Sequence, residues 1–155
     1  MGVSRTIKIR ILTDNTSQSN LIKSFTENFW NLKSKTGTVT SISEDDIDKF
    51  EYHDFPDTKV VYEILDKREK AKKVNALIIW DTNYSENIQL LIYSLENKYN
   101  AFGKHYELHF SPGIGKRILL ADRYTDFSFY LNQLIPKLEA INCRICEVEC
   151  RDFEF

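Results

Sequence analysis

The first stretch of chain with a clear pattern is residues 6–13 (TIKIRILT). Ile7, Ile9 and Ile11 alternate there with Lys8, Arg10 and Leu12, the period of a strand with one buried face. Asp14, Asn15, Thr16 and Ser17 follow, each a good helix cap. Leu21, Ile22, Phe25, Phe29 and Leu32 then recur at helical spacing, which predicts a helix stopped by Gly37. Residues 38–43 (TVTSIS) read as a second strand. Residues 44–57 break the pattern and end in the turn signal Pro56-Asp57.

A second helix is predicted over residues 58–73, from Val60, Val61, Ile64 and Leu65. Lys67, Arg68, Lys70, Lys72 and Lys73 lie at its C-terminal end, where cations suit the helix dipole. Residues 74–80 (VNALIIW) form a continuous apolar run, the pattern of a strand covered on both faces. Ser85 and Glu86 offer caps for a third helix over residues 85–99, although Ile88, Leu90 and Ile92 also satisfy a strand. Residues 105–110, the turn residues Ser111-Pro112-Gly113-Ile114-Gly115 and residues 116–121 read as a hairpin, because Pro then Gly is a type II turn signature. Thr125 or Asp126 caps a fourth helix carrying Phe127, Tyr130, Leu131, Leu134, Leu138 and Ile141, with a kink expected at Pro136. Residues 143–150 close the chain as a strand. The predicted order is β-α-β-α-β-α-β-β-α-β. Its fold class is α/β (or α+β), a single domain over residues 1–155 with a mixed sheet of about six strands and about four helices packed on it.

Composition agrees with a packed core: 42% of residues are hydrophobic and 13% aromatic, with only five Gly and three Pro. No apolar run approaches the roughly 20 residues of a membrane span, and the N-terminus shows no secretory pattern. Three cysteines within eight residues do not resemble a secreted disulfide framework, so a cytoplasmic location is expected, away from membranes. The net charge of −2 argues against nucleic acid as the main partner.

Five features invite a chemical reading. Cys143, Cys146 and Cys150 form C-x2-C-x3-C, a thiolate spacing seen in metal sites. The segment looks extended, however, and small apolar residues on the core face of a strand explain it without a metal. His105, Glu107 and His109 share one face of a strand by period 2 and combine titratable imidazoles with a carboxylate. The two His are about 13 Å apart along a strand, so they cannot grip one ion without help. With residue 110 opposite 116 in the expected hairpin, Arg117 would face His109. Residues 111–117 (SPGIGKR) carry two glycines and a Lys, but lack the spacing, the Ser or Thr, and the helix of a phosphate-binding loop. Asp14 and Asp81 follow strands, where open α/β sheets bind ligands; they and the His-Glu-His face are the candidate metal or catalytic groups if the chain is an enzyme.

The fifth feature is the least ordinary. Residues 44–57 hold seven acidic side chains against one Lys, interleaved with Phe50, Tyr52, His53 and Phe55. Charges that speed encounter and rings that anchor are what a protein needs to cover a basic partner. Asp45, Asp46, Asp48, Phe50, Glu51, Tyr52, Asp54 and Phe55 are therefore the expected partner-binding residues. No nucleophile elbow, dinucleotide fingerprint or zinc-protease motif is present, and no cofactor is implied. The sequence thus points to a small protein-binding module, of the kind an immunity or inhibitor protein would be, with another protein of basic surface as partner. The competing readings are a metal-dependent enzyme acting on a phosphorylated or nucleic-acid substrate, and a self-associating homo-oligomer with the last strand at its interface.

Overall fold

The computed structural model describes residues 3–27, 29–96, 103–113 and 115–154. Nine strands and three helices occur among them: β1 (Val3–Thr13), α1 (Gln18–Phe25), β2 (Val39–Ile42), β3 (Tyr52–Phe55), α2 (Thr58–Lys70), β4 (Asn75–Trp80), β5 (Asn87–Leu95), β6 (Lys104–Pro112), β7 (Arg117–Ile118), β8 (Ala121–Thr125), α3 (Phe127–Ala140) and β9 (Cys143–Glu154). Seven strands form one sheet in the order β3-β2-β4-β5-β6-β1-β9, and β7 and β8 form a separate two-stranded ribbon. Every pairing is antiparallel, so the architecture is α+β, and the mixed sheet expected from alternating elements is corrected to an antiparallel one.

Register follows from which side chains must be buried. Ile7, Ile9 and Ile11 lie opposite Phe110, Leu108 and Tyr106, while Ile92 and Leu90 face Leu108 and Phe110 from the other side. These residues form one continuous apolar face. The helices cover it with Leu21, Ile22 and Phe25 from α1, Val61 and Leu65 from α2, and Tyr130, Leu134 and Leu138 from α3. Each helix opens on a short polar cap: Ser17, Asp57 and Asp126 accept backbone N–H bonds from Asn20, Lys59 and Phe129. No helix among the described residues is long and apolar enough to cross a membrane.

Four predicted elements differ. The third helix is strand β5, because Ile88, Leu90 and Ile92 gain buried partners on β4 and β6 that a lone helix would lack. Residues 97–99, the end of that expected helix, lie outside the described residues. The first helix stops at Phe25 and turns follow it; Asn31 exchanges backbone bonds of 2.8 and 2.9 Å with Trp80, an isolated bridge, while Trp30 and Leu32 are buried. Gly37 serves a turn closed by bonds between Ser34 and Gly37 and between Ser34 and Thr38. The hairpin expected over residues 105–121 does not form: β6 pairs with β5 and β1, and Arg117–Ile118 turns back on β8 instead. Within the acidic stretch, residues 52–55 add an edge strand, β3, to β2.

Candidate functional site

The acidic segment crosses from β2 to α2 around the edge of the sheet, and two buried side chains hold it. Arg68, 1% exposed, donates to the carbonyls of Ser43, Glu44 and Asp46 at 3.3, 2.9 and 2.9 Å, and to the carbonyl of Val74 through Nε and Nη2. Its rigid five-donor fork suits this set of acceptors in a way an ammonium does not. From inside the loop, the Asp46 carboxylate accepts the N–H groups of Lys49, Phe50 and Glu51 at 3.0–3.1 Å. This clamp keeps Asp48 and Phe50 at φ of 60° and 52°, a left-handed conformation that Asp tolerates and Phe adopts only under constraint.

The clamp turns Asp45, Asp48, Glu51 and Asp54 to solvent, together with Ile47, which is 71% exposed. It turns the rings inward. Tyr52 accepts a hydrogen bond from Gln89 on β5, Phe55 packs against the core, and Phe50 is half-buried. The expected partner-binding set therefore divides into four outward carboxylates and an inward group of Asp46, Phe50, Tyr52 and Phe55.

Desolvation raises the Asp46 carboxyl, but the three N–H bonds and the Arg68 charge outweigh it and hold the group below its ordinary value. A carboxyl depressed in the folded state stabilises the fold fully above its unfolded value, near pH 4, and loses that contribution as pH falls through the lower folded value. The Glu107 carboxyl, paired with Arg10 and His109, is shifted the same way. Melting temperature is accordingly expected to fall below about pH 4, and less steeply in Asp46→Asn than in the native chain. Equal slopes in thermal melts at pH 6 and pH 3 would remove Asp46 from this account.

The face of the sheet away from the helices carries a charged network. Tyr93, Glu107, Arg10 and Glu147 form one rung across β5, β6, β1 and β9, and Leu91, His109, Lys8 and Glu149 form the next. Glu107 accepts from Arg10 at 2.7 Å and meets His109 at 2.7 Å, and the His109 ring lies 4.7 Å from that of Tyr93. Burial, with the charges of Glu107 and Asp48 added, raises the Tyr93 phenol. His109 thus faces Lys8 and Leu91, and the expected cross-strand pair with Arg117 is overturned along with the hairpin. His105 is apart from the other two, with its Nδ1 at 3.1 Å from the Glu96 carbonyl.

The remaining candidates separate. Three antiparallel steps lie between β4 and β1, so Asp81 and Asp14 fall at opposite ends of the sheet and cannot share an ion. Asp81 instead organises the β4–β5 loop, accepting from the backbone of Ser85 and Glu86 and from the Ser85 hydroxyl. A bulge opposite Arg10 and Ile11 leaves Cys146 without a partner in the ladder, so it does not continue the face of Val148 and Cys150, which lie opposite Ile9 and Ile7. Burial pushes the Cys143 thiol up to about 11, so it remains protonated and unreactive at neutral pH. No group of three or more His, Cys, Asp or Glu side chains among the described residues is placed to hold a metal.

In residues 111–117, Gly115 has φ +73°, and a Cβ there would sit 2.9 Å from the Tyr130 hydroxyl, which accepts the Lys116 N–H. The loop is thus closed against α3. Ile114 lies outside the described residues.

Sequence reasoning missed Arg68, one of several cations in a charged run with nothing to mark it as buried. It also missed Leu119 and Leu120, 92% and 95% exposed at the β7–β8 turn. A signal for these two was present: Ile118, Leu119 and Leu120 in succession break the alternation a half-buried strand requires. No family model, curated protein or solved structure matches the chain, so function rests on the site alone.

Proposed function

We propose that the chain is a protein-binding module that covers a basic surface of another protein with the outward carboxylates of its clamped acidic segment, as an inhibitor or immunity-type protein does. The observation that carries this is the Arg68–Asp46 clamp. Two buried charged side chains hold one loop in a constrained shape and leave Asp45, Asp48, Glu51 and Asp54 facing water with Ile47 among them. A loop ordered before binding loses little entropy on binding, and clustered charges accelerate encounter with an oppositely charged surface. Half-buried Phe50 and Tyr52 rigidify the platform, and the apolar contact would come from Ile47.

The test uses a panel of basic nuclease domains immobilised on a sensor surface, with the chain in solution. Binding to at least one is expected. The combined substitution Asp48→Asn, Glu51→Gln and Asp54→Asn should weaken it roughly tenfold or more, mostly through slower association, and should flatten its salt dependence. Asp46 is left intact because its loss would unfold the loop itself. A binder indifferent to both the substitutions and salt, or a panel with no binder, would overturn the proposal.

A further inference from the structure

The β7–β8 ribbon is an arm whose base is locked and whose tip is bare. At the base, Arg5 donates to the Thr125 hydroxyl at 3.1 Å and to the Gly113 carbonyl, and Asp152 accepts both the N–H and the hydroxyl of Thr125 at 2.8 and 2.7 Å. The Lys116 N–H donates at 2.7 Å to the Tyr130 hydroxyl, which itself donates to Glu86, and Asp126 caps α3. Glu86, Asp126 and Asp152 are thus each engaged by donors of the fold. At the tip, Leu119 and Leu120 form the two-residue turn between the paired residues Ile118 and Ala121 and are almost wholly exposed. Neither has a positive φ, so the turn admits polar residues equally well, and a leucine in water adds nothing to the fold.

The ribbon is graded from that tip towards its base. Ile118 and Tyr124 are exposed beside the leucines. Lys116 and Arg117 on one strand and Arg123 on the other come next, with a single acid, Asp122, among them. Arg117 donates to the carbonyls of Asp122 and Arg123 at 3.4 and 3.1 Å, which keeps its charge on the ribbon. An apolar end, then an aromatic hydroxyl, then cations is the order in which a bilayer surface presents acyl chains, interface and anionic headgroups. The cations stand two or three positions behind the leucines, roughly 7–10 Å at about 3.3 Å per residue, and apolar faces of interfacial segments enter about 5–10 Å. The acidic segment does not oppose such a contact. It leaves β2 at the end of the sheet opposite the arm's base, and β4, β5 and β6 lie between β2 and β1. Four strand spacings of about 4.8 Å exceed a Debye length of about 8 Å.

We infer that the ribbon docks the protein on an anionic lipid surface. Leu119 and Leu120 enter the acyl boundary, Tyr124 lies at the interface, and Lys116, Arg117 and Arg123 meet the headgroups. Docking of this kind needs no spanning segment, so it replaces the expectation of a location away from membranes, and it does not rest on the acidic segment or its partner. Two leucines and three cations give a reversible attachment no stronger than that of one myristoyl chain, with half-binding on the order of 0.1–1 mM lipid.

Cosedimentation of the full chain with phosphatidylcholine vesicles containing about a third phosphatidylglycerol, up to about 5 mM lipid, should show this binding. Pure phosphatidylcholine should recruit far less, and added salt should release the chain. Leu119→Ser with Leu120→Ser should bind at least fivefold more weakly, and Lys116→Gln and Arg123→Gln about fivefold each. All four positions are exposed, and circular dichroism should show each variant folded. Leu120→Trp reads insertion directly: its added fluorescence over the native chain should be quenched by brominated acyl chains in anionic vesicles.

A native chain that stays in the supernatant to about 5 mM anionic lipid overturns the assignment. Equal binding by the serine variant does so too, as does attachment without quenching of Leu120→Trp, since either leaves the tip outside the bilayer. Growth beyond the monomer in sedimentation equilibrium, lost in the serine variant and without vesicle binding, overturns it in favour of a second copy. The serine variant keeps Asp48, Glu51 and Asp54, so capture of a basic partner should persist in it, and the two proposals fail separately.

Discussion

Arg68→Ala is expected to destabilise the protein by about 3–5 kcal/mol, the largest effect of any single polar substitution here. The guanidinium is 1% exposed and serves four carbonyls, those of Ser43, Glu44, Asp46 and Val74. Truncation leaves those acceptors without their donor, opens a cavity between α2 and the acidic segment, and takes away the nearby positive charge that helps keep Asp46 ionised. Arg68→Lys keeps the charge but not the planar fork, and should recover less than half of the loss. Urea denaturation of the two variants gives the comparison, and hydrogen exchange should show the amides of Lys49, Phe50 and Glu51 losing protection in both. If Lys restores full stability, charge rather than geometry is what the site requires. If Ala costs under about 1 kcal/mol, water replaces the side chain and the clamp is not structural.

Glu69→Ala is the second large effect, expected at about 2–4 kcal/mol. Glu69 sits at the C-terminal end of α2, and its two oxygens accept from the Gln18 N–H at 2.7 Å and from the Tyr106 hydroxyl at 2.6 Å. One carboxylate thereby satisfies the first free N–H of α1, holds the phenol on β6 and ties both to α2. Desolvation, together with the bond to this carboxylate, raises the Tyr106 phenol well above its ordinary value, so the tyrosine stays a donor to Glu69. Gln18 extends the network, donating to Ser94 at 2.8 Å and accepting from Asn75 at 2.7 Å. A double-mutant cycle of Glu69→Ala with Tyr106→Phe measures the coupling. A value of at least about 1 kcal/mol is expected, because removing both partners costs less than stranding one of them in the core. Strict additivity would mean that the two groups do not depend on each other.

Both predictions concern charged residues of the same run, residues 67–73, and they show where sequence reasoning stops. Cations at the end of a helix are expected on the surface, and Lys67 and Lys70 behave that way in being exposed or nearly so. Arg68 and Glu69 differ only in which way their α-carbons face once α2 lies against the sheet. Nothing in local composition carries that information. The candidate site was legible in the same partial way. The excess of carboxylates marked residues 44–57, but which of them would be presented and which would be buried as a clamp depended on Arg68, 22 residues from Asp46.

Period and chemistry along the chain were sufficient for the strands at Ile7–Ile9–Ile11 and at Asn75–Trp80, for α2 and α3, and for the break in the chain at Pro56, because each is a local preference of the residues themselves. They were not sufficient for β5, where helix and strand spacings coincide and the choice fell to the partners supplied by β4 and β6. Nor could they set the antiparallel order that sends Asp14 and Asp81 to opposite ends, or the ribbon that lifts Leu119 and Leu120 into water. Those features depend on contacts between residues far apart in the chain, and only the packed sheet brings such residues together. The apolar face, the acidic segment and the absence of familiar catalytic motifs belong to the sequence; the clamp and the exposed turn of the β7–β8 ribbon belong to the fold.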